Sequence, residues 1–138
     1  MYPPEIVNPC RQDLTEAGVE ELRTADDVDG LLKNQNGTAL VVVNSVCGCA
    51  AGNARPGVKL ALQHDTRPAR ITAVFAGVDQ EATEKVRSYV PGYPPSSPAF
   101  ALFKDGKPVY VMERHQIEGR NPREIAFDLI TAFDEFCV

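Results

Sequence analysis

Two thiols one glycine apart, in the stretch Ser45-Val46-Cys47-Gly48-Cys49-Ala50-Ala51-Gly52, are the groups in this chain best placed to do chemistry. They follow directly on the apolar run Ala39-Leu40-Val41-Val42-Val43 and lead into small residues able to open a helix. A sulfur held where a strand hands over to a helix N-terminus meets backbone N–H groups and the positive end of the helix dipole, and both favour negative charge. The thiolate is the species that attacks disulfides and binds metals, so this position predicts thiol chemistry. The plainer alternative is that both cysteines are small core hydrophobes, since free cysteine is among the most buried residue types. Their placement around a single glycine at a strand end argues against it.

The rest of the composition narrows the setting. At 138 residues, 43% hydrophobic and 24% charged, the chain has the size and make-up of one ordinary globular domain. A formal net charge of −5 argues against a nucleic-acid surface, which needs a basic stripe. No apolar run approaches the ~20 residues that cross a bilayer, which argues against a membrane span. The start, Met1-Tyr2-Pro3-Pro4-Glu5, lacks the basic and apolar regions of a signal peptide, so the cytoplasm is the expected location. In a reducing compartment paired thiols are more often catalytic, redox-sensing or metal-binding than structural. Cys10 and Cys137 lie near opposite ends and have no partner that sequence can name.

The elements that must position the thiols are readable in part. Asp13 followed by Glu16 resembles a helix cap, with Leu14, Ala17 and Leu22 as a modest apolar face. A second helix is expected after Thr24, burying Val28, Leu31 and Leu32 and stopping at Asn34 to Gly37. Thr38 to Asn44 is the first convincing strand. It is apolar at consecutive positions, which predicts an interior strand of a sheet covered on both faces. A helix over about Ala50 to His64 follows, kinked by Pro56. Arg70 to Ala76 is the next strand, and Asp79 is the expected N-cap of a helix carrying Ala82, Val86, Tyr89 and Val90. Pro91 to Pro95 ends that helix.

Ala99 to Lys104 and Pro108 to Glu113 flank Asp105-Gly106, a two-residue hairpin signal. Asn121-Pro122-Arg123-Glu124 supplies an N-cap, a proline at the first helical position and a capping-box carboxylate. Ile125, Leu129, Phe133 and Phe136 form the inner face of the last helix. The expectation is a single α/β domain over residues 1–138, with a helical extension over 1–37 and a core over 38–138. The core is a mixed four-stranded sheet flanked by helices, in the order β-α-β-α-β-β-α, with a right-handed parallel crossover first and an antiparallel hairpin last. That order is the one of the thioredoxin fold.

With these residues in view, the chain resembles the bacilliredoxins, thioredoxin-like bacterial disulfide reductases. The likeness is carried by Val43 to Gly52 with Ala54-Arg55-Pro56, by Ser96-Ser97-Pro98, by Phe103-Lys104-Asp105-Gly106 and by the closing Phe136-Cys137. The resemblance implies removal of bacillithiol, a small thiol, from proteins that carry it as a mixed disulfide. It implies no bound cofactor, bacillithiol as co-substrate and bacillithiolated proteins as partners. Cys47 would be the attacking thiol and Cys49 its partner, with a cis Ser97–Pro98 bond beside them. The chain departs from general thioredoxins in its single intervening residue, in having no tryptophan, and in placing Val41 or a neighbour where they keep a buried acid. Cys10 stands where the family is expected to have methionine and receives no role.

Other residues have two readings each. Pro98 and Ser97 open the third core strand, and a proline there either leaves backbone groups free for an extended client or simply starts the strand. Arg55 either attracts the carboxylates of bacillithiol or is a solvated helix residue. Asn44 and Ser45 either hydrogen-bond a thiolate or cap the helix. Gly48 can adopt dihedrals closed to other residues and would let Cys47 and Cys49 close a strained ring. The competing functions are a general protein disulfide reductase or isomerase, and a thiolate metal site built from Cys47 and Cys49, which lacks a second close pair.

Overall fold

The structure, a computed structural model, describes residues 2–33 and 36–138. Among these it forms five α-helices and five strands: α1 (Pro4–Thr15), β1 (Glu20–Glu21), α2 (Ala25–Leu32), β2 (Thr38–Asn44), α3 (Arg55–Ala61), β3 (Arg70–Phe75), α4 (Gln80–Ser88), β4 (Ala99–Lys104), β5 (Lys107–Met112) and α5 (Pro122–Phe136). The strands make one sheet in the order β1-β3-β2-β4-β5. β3 runs parallel to β1 and β2, whereas β4 is antiparallel to β2 and to β5.

β2 lies at the centre because both of its faces find apolar partners. Leu40 and Val42 join Phe100 and Leu102 beneath α3 and α5, whose Val58, Ile125, Leu129 and Phe133 complete that core. Val41 and Val43 point to the other core, with Val74, Ala101 and Phe103 beneath Val28 and Leu31 of α2 and Val86 of α4. A strand covered on both sides has no use for alternating polarity, which is why this segment is apolar throughout. No helix among the described residues is long and apolar enough to cross a membrane.

Several local expectations hold. Thr24 and Asp27 form a capping box at the start of α2, as Asn121 and Glu124 do at α5. α2 ends at Leu32; of the expected stop, Asn34 and Gln35 lie outside the described residues. Asp105 and Gly106 both adopt positive φ, 54° and 78°, as a tight hairpin requires. The Asp105 carboxylate accepts from the Gly37 N–H at 2.7 Å, which ties the hairpin to the start of β2.

Four expectations need correction. The sheet has a fifth strand, Glu20–Glu21, inside the segment read as helical. Its signal is charge rather than apolar alternation: Glu20 pairs with Arg70 at 2.9 Å and Glu21 with Arg11 at 2.9 Å. Helix α1 begins at Pro4, so Asp13 sits in its last turn and caps nothing at its start. Its buried stripe is Val7, Arg11 and Leu14, and the arginine at its centre hides the periodicity. Asp79 precedes α4 but makes no side-chain cap; its carboxylate takes two hydrogen bonds from Arg11, at 2.8 and 3.0 Å. Finally, the helix after the cysteines is regular only over Arg55–Ala61 and is preceded by a π-helical turn, Ala50–Ala54. The wide turn sits immediately ahead of Pro56, whose missing N–H and bulky ring disturb the turn before it.

Candidate active site

β2 delivers its chain end to the surface through Asn44 and Ser45, both buried, and Cys47 follows two residues later, half-buried. Gly48 and Cys49 are the first helical residues beyond it. All four cysteines are free thiols. The Ser45 hydroxyl donates to the Cys47 sulfur at 3.1 Å while accepting from the Cys47 N–H at 3.3 Å. The backbone therefore orients the hydroxyl, and the hydroxyl aims its proton at sulfur.

Burial alone pushes the Cys47 thiol up. The Ser45 hydroxyl, the N–H groups of Ala50 and Cys49 and the charge of Arg114 together outweigh it, so Cys47 ionises below the ordinary thiol value. The mechanism expected from the strand-to-helix junction is thus present, with a serine as its largest single favourable contribution. Ser45 faces the sulfur. Asn44 does not: its amide donates to the Cys10 carbonyl at 3.1 Å, and its oxygen accepts from the Ser45 N–H at 2.9 Å.

Arg55 lies inside the protein and not on the substrate surface proposed for it. It is 5% exposed. Its guanidinium donates to Asp13 at 3.0 Å, to the Asn44 side chain at 3.1 Å and to the Ser45 carbonyl at 2.7 Å. Every one of these partners belongs to α1 or to the junction that carries Cys47, so Arg55 fastens that junction to the helix behind it. Gly48 also differs from expectation. It is helical, outside the left-handed region, and open space lies where its Cβ would be. Cys49 is half-buried, with its sulfur 3.9 Å from Nη2 of Arg114.

Ser97 and the buried Pro98 stand at the start of β4, and the peptide between them is cis. Ser97 shares a groove of about 270 Å³ with Cys47, Ser45, Tyr2, Gly77, Arg87 and Arg114. Arg114 and Arg87 are the residues that sequence reasoning missed. Arg114 stands 65 residues from Cys49, in the 3-10 turn Arg114–Gln116 after β5, where nothing local marks it. His64 pairs with Asp134 at 2.8 Å, away from the groove. Among the described residues, no three His, Cys, Asp or Glu side chains gather where they would hold a metal ion.

Solved thioredoxins share the fold: oxidised thioredoxin from Plasmodium falciparum superposes with a TM-score of 0.58 at 18% identity, covering 87% of this chain and 99% of that one. Reduced thioredoxin from Schistosoma mansoni gives 0.55 at 21% identity, covering 83% and 97%. The fold is therefore that of thioredoxin, and with these thiols and relatives the protein is a thiol–disulfide oxidoreductase. The chain belongs to the disulphide isomerase family, whose model matches residues 2–137. Its relatives include a bacilliredoxin of Salinibacter ruber, 57% identical over 99% of this chain and 81% of the relative. A bacilliredoxin of Staphylococcus saprophyticus is 52% identical over 100% and 94%.

Proposed function

We propose that the protein reduces mixed disulfides between bacillithiol and the cysteines of client proteins, with Cys47 as nucleophile. The observation that carries this is the half-buried Cys47 thiol, held toward its ionised form by Ser45 and by helix N–H groups at the edge of an open groove. The Cys47 thiolate attacks the bacillithiol sulfur. A new bond joins Cys47 to bacillithiol, the old disulfide breaks, and the client leaves as a thiolate that takes a proton from water. Exchange of this kind needs no bound cofactor. The setting that suits it is the cytoplasm, where other thiols supply the electrons.

Two routes clear Cys47. In one, the Cys49 thiolate attacks the Cys47 sulfur, releases bacillithiol and leaves an intramolecular disulfide. In the other, a second bacillithiol attacks the first, yielding bacillithiol disulfide and free Cys47. Cys47 stands just before the helix that Gly48 and Cys49 open, and the Arg114 guanidinium 3.9 Å from the Cys49 sulfur engages the thiol that would have to turn toward Cys47. The second route is favoured for this reason. Ser97 lines the groove along which the client backbone lies, the buried Pro98 behind it sets the course of the chain there, and the open space at Gly48 lets the client approach. Arg55 supports the junction from within.

The test is release of bacillithiol from a modified protein, followed by mass spectrometry. Wild type should free the client, Cys47→Ser should not, and Cys49→Ser should sustain turnover when bacillithiol is supplied. Retained release by Cys47→Ser would refute the assignment. The description of the matching family as disulphide isomerase supports a second reading, a reductase or isomerase of general protein disulfides. Equal rates on bacillithiolated and ordinary disulfide substrates would favour it.

A further inference from the structure

The groove beside Cys47 carries charge of one sign. Its lining includes two arginines, Arg87 and Arg114, and no acidic residue, in a chain whose formal net charge is −5. The two come from different elements, Arg87 from the last turn of α4 and Arg114 from the turn after β5. A cationic spot on an acidic surface concentrates anions locally and repels little of what it recruits.

The donors are only partly spent. Arg114 gives Nε to Glu118, one Nη1 hydrogen to the Ser97 carbonyl at 3.3 Å and one Nη2 hydrogen toward the Cys49 sulfur at 3.9 Å. Of the five N–H groups of a guanidinium, two are left without a partner among the described residues. Arg87 donates to the Ser96 carbonyl at 3.5 Å and makes no ion pair among the described residues. Of the neighbouring acids, Glu118 takes only the Nε hydrogen of Arg114, and Glu113 accepts from the backbone N–H of Gln116 as a helix cap.

We propose that Arg114 and Arg87 form an anion site that binds a carboxylate of the low-molecular-weight thiol while its sulfur is exchanged at Cys47. The inference rests on the reading of Cys47 as nucleophile toward a small-thiol mixed disulfide, and it names the part of the ligand that is recognised. A guanidinium with two open N–H groups matches a carboxylate in shape as well as charge. The volume, about 270 Å³, is near the lower end of small-molecule clefts and suits a small thiol better than a folded partner.

The experiment uses the reduced full chain and three small disulfides of matched size: dithiodiglycolate, its uncharged diamide, and the cationic cystamine. Initial rates of thiol release at neutral pH are measured for wild type, Arg114→Gln, Arg114→Lys, Arg87→Gln and Arg123→Gln, an exposed arginine outside the groove lining. Loss of Arg114 also weakens Cys47 ionisation, but that change scales all three probes alike, so the carboxylate-to-amide rate ratio is the readout. The ratio should fall about fivefold in Arg114→Gln and in Arg87→Gln, recover partly in Arg114→Lys and stay unchanged in Arg123→Gln. The cystamine-to-amide ratio should rise in the same two variants.

An unchanged ratio in Arg114→Gln and Arg87→Gln, with Cys47 still reactive toward every probe, overturns the anion site and leaves the nucleophile standing. An equal fall in Arg123→Gln also overturns it, since the effect is then the charge of the whole protein. If acidic and neutral cysteine-peptide disulfides, run alongside, show an arginine-dependent preference and the small probes do not, the arginines serve a protein client and the small-thiol site is overturned. Failure of Cys47 to react with any probe removes the underlying reading and this site together.

Discussion

Ser45→Ala isolates the hydroxyl that acts on the Cys47 sulfur, and its effect follows from the geometry. Ser45 is 8% exposed, and its hydroxyl reaches the Cys47 sulfur at 3.1 Å. A hydrogen bond to a charged group contributes about 1.5–3 kcal/mol, and the half-buried sulfur argues for the lower end. That corresponds to roughly one pKa unit, upward, for Cys47 in the variant. Below both pKa values the thiolate fraction then drops about tenfold. A more basic thiolate is also a better nucleophile, with a Brønsted slope of about 0.4–0.5, so each remaining thiolate reacts about threefold faster. The net expectation is a rate about threefold lower than wild type at pH 6 and about threefold higher at pH 10, with the two profiles crossing between. The assay is alkylation across pH, read by mass spectrometry on the Cys47-bearing peptide so that the other three cysteines do not contribute. Coincident profiles would refute the role of Ser45, and a wild-type midpoint at or above the ordinary ~8.5 would refute the favoured ionisation of Cys47 itself.

Two further substitutions test what holds the site in place. In Asp13→Asn the buried Arg55 loses its ion pair, and Lys59, 2.6 Å from the same carboxylate, loses its partner too. Breaking one side of such a pair should cost about 2–3 kcal/mol at pH 7, measured by urea denaturation. Burial pushes the Asp13 carboxyl up, but Lys59 and Arg55 outweigh this and hold it below the usual carboxylate range. A depressed folded-state pKa gives stability that is present above the unfolded value of about 3.9 and lost as pH falls through the lower folded one, so the gap between wild type and variant should narrow below about pH 4. Gly57→Ala places a methyl 2.7 Å from Cγ2 of Ile125, between α3 and α5. It should lower stability by about 1–3 kcal/mol in thermal or urea unfolding and leave the alkylation profile of folded Cys47 unchanged.

What was legible in the sequence is what local physics decides. The run Ala39 to Val43 announces a strand buried on both faces because solvent is excluded from every position, whatever its neighbours are. Thr24, Asn121-Pro122-Glu124 and Asp105-Gly106 announce ends and turns because cap and turn chemistry is satisfied within four residues. Cys47 was legible for the same reason: a strand end, a short linker and a helix start fix the environment of one sulfur. β1 was not, since two glutamates show no pattern and their place in the sheet depends on Arg70 and Arg11, far along the chain.

The arginines show where local reading stops. Arg55 lies eight positions after Cys47 and reads in sequence either as a ligand's partner or as a solvated helix residue, yet it is buried. Its depth is decided by Asp13, 42 residues earlier on α1, and by the carbonyl of Ser45. Arg114 has nothing beside it in sequence to suggest a role, and β5 brings it to the sulfurs. A buried guanidinium needs partners for its charge and donors, so the residue whose partners are internal is pulled inward. The one whose donors stay open remains in the groove. Both bear on the Cys47 sulfur. Arg55 fixes where Ser45 holds its carbonyl and hence where its hydroxyl stands, and Arg114 supplies the field. The Asp13→Asn variant should therefore raise the Cys47 midpoint as well as lower stability, whereas Gly57→Ala should lower stability alone. Equal alkylation midpoints in wild type and Asp13→Asn would show that the junction keeps its shape without Arg55 being held.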